Sequence, residues 1–244
     1  MSAVRRGAVV TGASSGIGRA VALKLAADGW VVAAFGRSAS SLEAAFAPAP
    51  SAVRANVQLC GAAAFDLAGE AGCAAVVAAA LDVLRAAGAS LALLVNNAGG
   101  GTLGSTLGDA QAALVFDETL ALDLRAPFVL TSLCAPLIAA AWPEGTGCII
   151  NVSSVCAQRP MVGLGAYCIA KAGVEMLTKQ TALEYAGKLR CLCVAPAVSN
   201  KAERRPPPPP PRTLPLSHPT THTSAPLYTR QNRPSSLIFT LARA

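Results

Sequence analysis

Ala8-Val-Val-Thr-Gly-Ala-Ser-Ser-Gly-Ile-Gly18 is the stretch on which the fold turns. Ala8–Val10 is a short apolar run of the kind buried in a sheet, and from Ile17 to Asp28 apolar residues recur at helical spacing until Gly29 closes the segment. Between strand and helix lie Gly12, Gly16 and Gly18. Glycines there let the backbone turn tightly and approach a pyrophosphate, whose charge is met by free N–H groups at the helix N-terminus. With Ser14, Ser15 and Ile17 they make the expected loop for a dinucleotide.

Outward from that loop the same alternation continues. Strands are expected at Val31–Phe35, near Val57–Phe65 up to Asp66, at Leu91–Val95, at Gly147–Val152 and at Arg190–Ala195. Helices are expected from about Ser41, over about Glu70–Ala87, about Phe116–Ala141 and Gly165–Ala186. Strands alternating with helices over short connections imply right-handed crossovers and an α/β fold with a doubly wound parallel sheet, Rossmann-like.

Aromatic residues make up only 5% of the chain, so the core must be built from Ala, Val and Leu, which suits helices packed closely on such a sheet. The uncharged stretch from Ala86 to Gly108 is broken by Ser90, Asn96, Asn97 and several glycines, and no run reads as a membrane span. A soluble, cytoplasmic protein is expected. The eight cysteines lie between Cys60 and Cys193 without a Cys-x-x-Cys pair, and both histidines lie beyond residue 217, so neither a zinc site nor a disulfide framework is indicated. The net charge of +7 belongs to the C-terminal end: residues 1–200 hold 13 basic and 12 acidic residues, residues 201–244 hold 7 and 1. The globular part therefore gives no electrostatic reason for binding nucleic acid.

Tyr167 and Lys171 stand four apart in the last expected helix, on one face, and Ser154 stands thirteen before Tyr167. A free phenol has a pKa of about 10, too high for easy proton exchange near neutrality. An ammonium beneath it favours the ionised form, and a neighbouring hydroxyl can hold a substrate oxygen while the phenol gives or takes its proton. At the end of the second strand, a carboxylate would accept from the ribose 2′-hydroxyl of NAD. Gly36 and Arg37 stand there instead, which favours NADP(H). Asp66 is placed either to accept from the adenine amino group or to cap the following helix.

These residues resemble the short-chain dehydrogenase/reductase family. The Thr11–Gly18 loop, Asn96-Asn-Ala-Gly99, Asn151-Val-Ser-Ser154 and Tyr167-x-x-x-Lys171 occur in that family's order and approximate spacing over about residues 7–198. The resemblance implies Tyr167 as general acid/base, Ser154 as the group polarising a small carbonyl or alcohol substrate, and Lys171 as a ligand of the nicotinamide ribose that lowers the tyrosine pKa. It implies Ser154 rather than Ser153, and assigns Asn97, Ala98, Gly99 and Pro196 to the cofactor's surroundings. A homodimer through the long helices is implied in preference to a tetramer.

Three departures from the family pattern stand out. Asp123 occupies the position of an asparagine that holds a relay water, and its charge is expected to pair with Lys171 and weaken the lowering of the Tyr167 pKa. Pro196-Ala197 replaces Pro-Gly. After the sixth strand, where similar proteins continue into a substrate-covering segment, a helix and a seventh strand, this chain carries six consecutive prolines at 206–211 and ten of its seventeen prolines beyond Lys201. The expected organisation is a dinucleotide-binding and catalytic domain at 1–198 and a disordered proline-rich tail at 199–244, with the sixth strand left as a sheet edge. The expected activity is hydride transfer between NADP(H) and a small carbonyl or alcohol. The rival reading is a non-catalytic, truncated dinucleotide-binding scaffold or interaction protein.

Overall fold

Along the first strand, Ala8 and Val10 join one apolar core cluster and Val9 the other, because successive side chains of a strand point to opposite faces. A chain buried on both faces needs helices above and below it, and that is the arrangement in the computed structural model, which describes residues 4–62, 65–101, 110–142 and 144–197. Six parallel strands are ordered β3-β2-β1-β4-β5-β6: β1 (Arg5–Val10), β2 (Val31–Gly36), β3 (Val57–Gly61), β4 (Ala89–Asn96), β5 (Gly147–Val152) and β6 (Leu189–Val194). After β3 the chain crosses back to lay β4 on the free side of β1. The order thus reverses between β1 and β4, and a crevice opens at the carboxyl ends of the strands there.

One face of the sheet is covered by α1 (Gly16–Ala27), α2 (Ala39–Phe46) and the short α3 (Ser51–Arg54), with Ala22, Leu42 and Phe46 in the core. The other carries α4 (Glu70–Ala86) and α6 (Ala126–Ala141), which bury Val76, Leu84, Leu130 and Ile138. Between α5 (Ala112–Leu120) and α6 the helix continues as a π-helical turn, Ala121–Arg125. The last helix is α7 (Gly165–Glu184). Among the described residues β6 pairs with β5 alone.

Three expectations need correction. The helix expected over Phe116–Ala141 starts at Ala112 and is not uniform. Pro127 has no N–H for the carbonyl of Asp123, four residues back, and its ring crowds that carbonyl, so the helix widens into a π turn. The whole run Ala112–Ala141 is also long and apolar enough to cross a bilayer by length and composition, which the sequence reading missed. Here it packs on β4, with Ala126, Leu130, Cys134, Ala135 and Ile138 buried. The third strand ends at Gly61 rather than Phe65. Residues 198–244, including the proline run, lie outside the described residues.

Candidate active site

The loops after β1 and β4 are stitched together at the crevice. Thr11 Oγ1 accepts from the N–H groups of Asn97 and Ala98, both at 3.0 Å, and donates to Val95 O at 3.2 Å. Asn97 Nδ2 donates to the carbonyls of Thr11 (3.0 Å) and Gly12 (3.2 Å). This closeness explains two glycines. Gly12 has φ +63°, and a Cβ there would lie 2.9 Å from Ala98 Cα; a Cβ on Gly18 would strike the Gly12 carbonyl oxygen and Asn97 Nδ2.

The crevice has a volume of about 620 Å³. Gly12, Ser14, Ser15, Gly16, Ile17, Arg37, Asp66, Asn97, Ala98, Gly99, Ser154, Tyr167, Lys171 and Pro196 all line it. Gly18 and Asp123, also singled out from sequence, stand behind the wall: Gly18 under the loop and Asp123 behind Gly99. Phe65, Leu67 and Leu122 line it too and were missed, because an apolar residue near a site reads in sequence like any core residue. Asp66 is exposed, and its Oδ1 accepts from Ala68 N–H at 3.3 Å, so it organises the turn leading into α4.

The residues fit a dinucleotide. Ser15 precedes α1 without a side-chain bond to the first-turn N–H groups, and no acidic residue stands in that turn. Those donors are left for an anion. The exposed guanidinium of Arg37 stands just past β2, next to Gly36.

Ser154 is in extended conformation after β5 and caps a 3-10 turn, Val155–Ala157, its Oγ accepting from Cys156 N–H at 3.2 Å. Ser153 Oγ instead donates to Lys171 O at 3.2 Å. Tyr167 lies in the first turn of α7, and Lys171 Nζ is 5.5 Å from its ring centroid. That ammonium donates to Val152 O at 3.2 Å and pairs with Asp123 Oδ1 at 3.0 Å. The Asp123 carboxylate also accepts from Gly100 N–H at 3.2 Å. A Cβ on Gly99 would strike the same carboxylate.

The pairing of Asp123 with Lys171 is present as read from sequence, but the Tyr167 pKa moves opposite to the lowering expected. The Tyr167 phenol is held above its ordinary value, not below it: burial is the main cause, Asp123 and the thiols of Cys156 and Cys168 add to it, and a hydrogen bond with Ser154 opposes it. The charge of Lys171 is matched by a carboxylate in contact with it. Burial likewise raises the Asp123 carboxyl, against Lys171 and the Gly100 N–H.

Known proteins are similar to this chain over most of its length. The short chain dehydrogenase family model matches residues 6–205. The 2-(R)-hydroxypropyl-CoM dehydrogenase of Xanthobacter autotrophicus is 33% identical over 208 residues, covering 79% of this chain and 74% of that protein. The L-xylulose reductase of Mesocricetus auratus is 34% identical over 195 residues, covering 79% and 71%. The crystal structure of a metagenomic short-chain oxidoreductase in complex with NADP superposes with a TM-score of 0.67 at 34% identity, covering 80% of this chain and 84% of that one.

Proposed function

Because this chain belongs to the short-chain dehydrogenase family, we propose that it is an NADP(H)-dependent oxidoreductase acting on a small carbonyl or alcohol, with Tyr167 as general acid/base. The convergence of Ser154, Tyr167 and Lys171 on one wall of the crevice carries this reading. When bound, the nicotinamide supplies or takes the hydride. The first-turn N–H groups of α1 and the Gly12–Gly18 loop would hold the pyrophosphate, Arg37 the 2′-phosphate, and Lys171 the nicotinamide ribose. Ser154 Oγ holds the substrate oxygen, and the Tyr167 hydroxyl exchanges its proton with it. Preference for the phosphorylated cofactor is supported by Arg37, by the lack of a carboxylate at the end of β2, and by likeness to the oxidoreductase solved with NADP.

Tyr167→Phe tests the role directly. Turnover with NADPH across ketones, aldehydes and sugars should fall by about 10²–10⁴, while NADPH binding, followed by fluorescence titration, stays within a fewfold. Undiminished turnover would sink the assignment. A second reading, a non-catalytic dinucleotide-binding scaffold or interaction protein, is favoured by one observation: the raised phenol beside a lysine whose charge is already matched. It requires NADPH binding with no turnover at any pH.

The eight cysteines are free, which fits a reducing compartment such as the cytoplasm. Exposed Phe128, Met176 and Leu183 on α6 and α7 support a homodimer through those helices.

A further inference from the structure

Glu175 lies one turn beyond Lys171 on α7 and does not line the crevice. Its Oε1 accepts from Gln158 Nε2 at 3.3 Å and lies 3.4 Å from Ser153 Oγ. Ser153 and Gln158 bracket the 3-10 turn Val155–Ala157, with Ser154 as its cap. One carboxylate oxygen on α7 therefore meets both ends of the segment that presents Ser154. Anchors at its N-terminal end include Ser153 N–H to Val194 O at 2.8 Å, Ser153 Oγ to Lys171 O at 3.2 Å, Val155 N–H to Pro196 O at 3.1 Å and the bond between Ser154 and Tyr167. Beyond Gln158 the chain runs exposed through Val162, with Met161 49% and Val162 96% accessible, and Gly163 and Leu164 are half-buried where it turns into α7. At the C-terminal end of the turn, Gln158 is tied to α7 by its bond to Glu175.

We propose that Glu175 is a positioning residue whose carboxylate clamps both ends of the serine-bearing turn onto α7, holding Ser154 in register with Tyr167. The proposal rests on the reading of Ser154 and Tyr167 given above. A carboxylate suits the task because it only accepts: Gln158 donates to it from its amide, and the single Ser153 hydroxyl proton is shared between Lys171 O and Glu175 Oε1. A glutamine can still accept through its amide oxygen; an alanine cannot.

The test uses the full chain and does not depend on turnover. Cys156 sits in the middle of the clamped turn and is 6% exposed, while Cys134 is 1% exposed on α6. Alkylation by iodoacetamide, followed peptide by peptide in a mass spectrometer, reads the two thiols separately. Glu175→Ala should label Cys156 about tenfold faster, a loosening of the size expected for hydrogen bonds to a charged group, with Cys134 unchanged and Glu175→Gln close to wild type. With a substrate in hand, kcat should fall in Glu175→Ala while the Kd for NADPH stays within twofold. Unchanged Cys156 labelling, parallel acceleration of Cys134, or Glu175→Gln behaving like Glu175→Ala would each overturn the clamp. Because labelling is read without substrate, its failure is distinct from failure of the oxidoreductase reading.

Discussion

Lys171 Nζ lies 3.0 Å from Asp123 Oδ1, with their side chains 5% and 1% exposed. Two opposite charges out of water hold each other, and each one's value to the site depends on the other. The lysine lines the crevice and sits near the phenol, yet the charge it offers is shared with a carboxylate that works against the ionisation of Tyr167.

The pH dependence of the reaction follows from that pair. In the proposed alcohol oxidation Tyr167 acts as the phenolate, so the rate should rise with pH through the Tyr167 pKa, which is raised in part by Asp123. Asp123→Asn removes that negative charge and should move the rising limb of kcat/KM to lower pH. A limb that stays in place or moves up would show that Asp123 does not act on the phenol.

Stability depends on the same contact. Asp123→Leu leaves the Lys171 ammonium buried without its carboxylate, and a loss of about 3–5 kcal/mol is expected from urea unfolding. Asp123→Asn keeps an acceptor for the ammonium and should lose much less. Equal losses would mean that the missing charge, rather than the missing acceptor, sets the penalty.

Gly18→Ala should damage the nucleotide loop from behind. Its methyl would strike the Gly12 carbonyl and the Asn97 amide, neither of which can move without breaking the Thr11–Asn97 bonds. Overpacking of this kind costs about 1–3 kcal/mol. NADPH affinity in a fluorescence titration should drop alongside stability in urea.

Cofactor choice should follow Arg37. Losing a charge-assisted contact to a phosphate is worth about 1.5–3 kcal/mol, so Arg37→Ala should weaken NADPH about 10- to 100-fold and leave NADH nearly unchanged. Parallel titrations with the two cofactors measure it.

Buried thiols give a check on the fold itself. Burial pushes Cys134 and Cys191 up to about 12 and Cys60 to about 11. At pH 8 their thiolate fractions are of order 10⁻³ or below. In the native protein these three should resist a disulfide reagent that reacts with all eight in urea.

The order of strands and helices and the identity of the crevice were legible from the chain. Alternating periods mark the elements, the glycines of the first turn mark the phosphate end, and Ser154, Tyr167 and Lys171 carry functional groups whose chemistry is visible by type and spacing alone. Phe65, Leu67 and Leu122 had no such mark, since apolar residues show their place only once the sheet puts them at the mouth of a crevice. What tertiary structure alone decided is the electrostatic balance. Pro127 widens the helix at Asp123, the π turn and α7 bring that carboxylate against Lys171, and burial of the whole group raises Tyr167 instead of lowering it. Spacing in a sequence can say which charges meet; how much water is left around them depends on the packing of elements far apart in the chain, and that sets the sign of the shift.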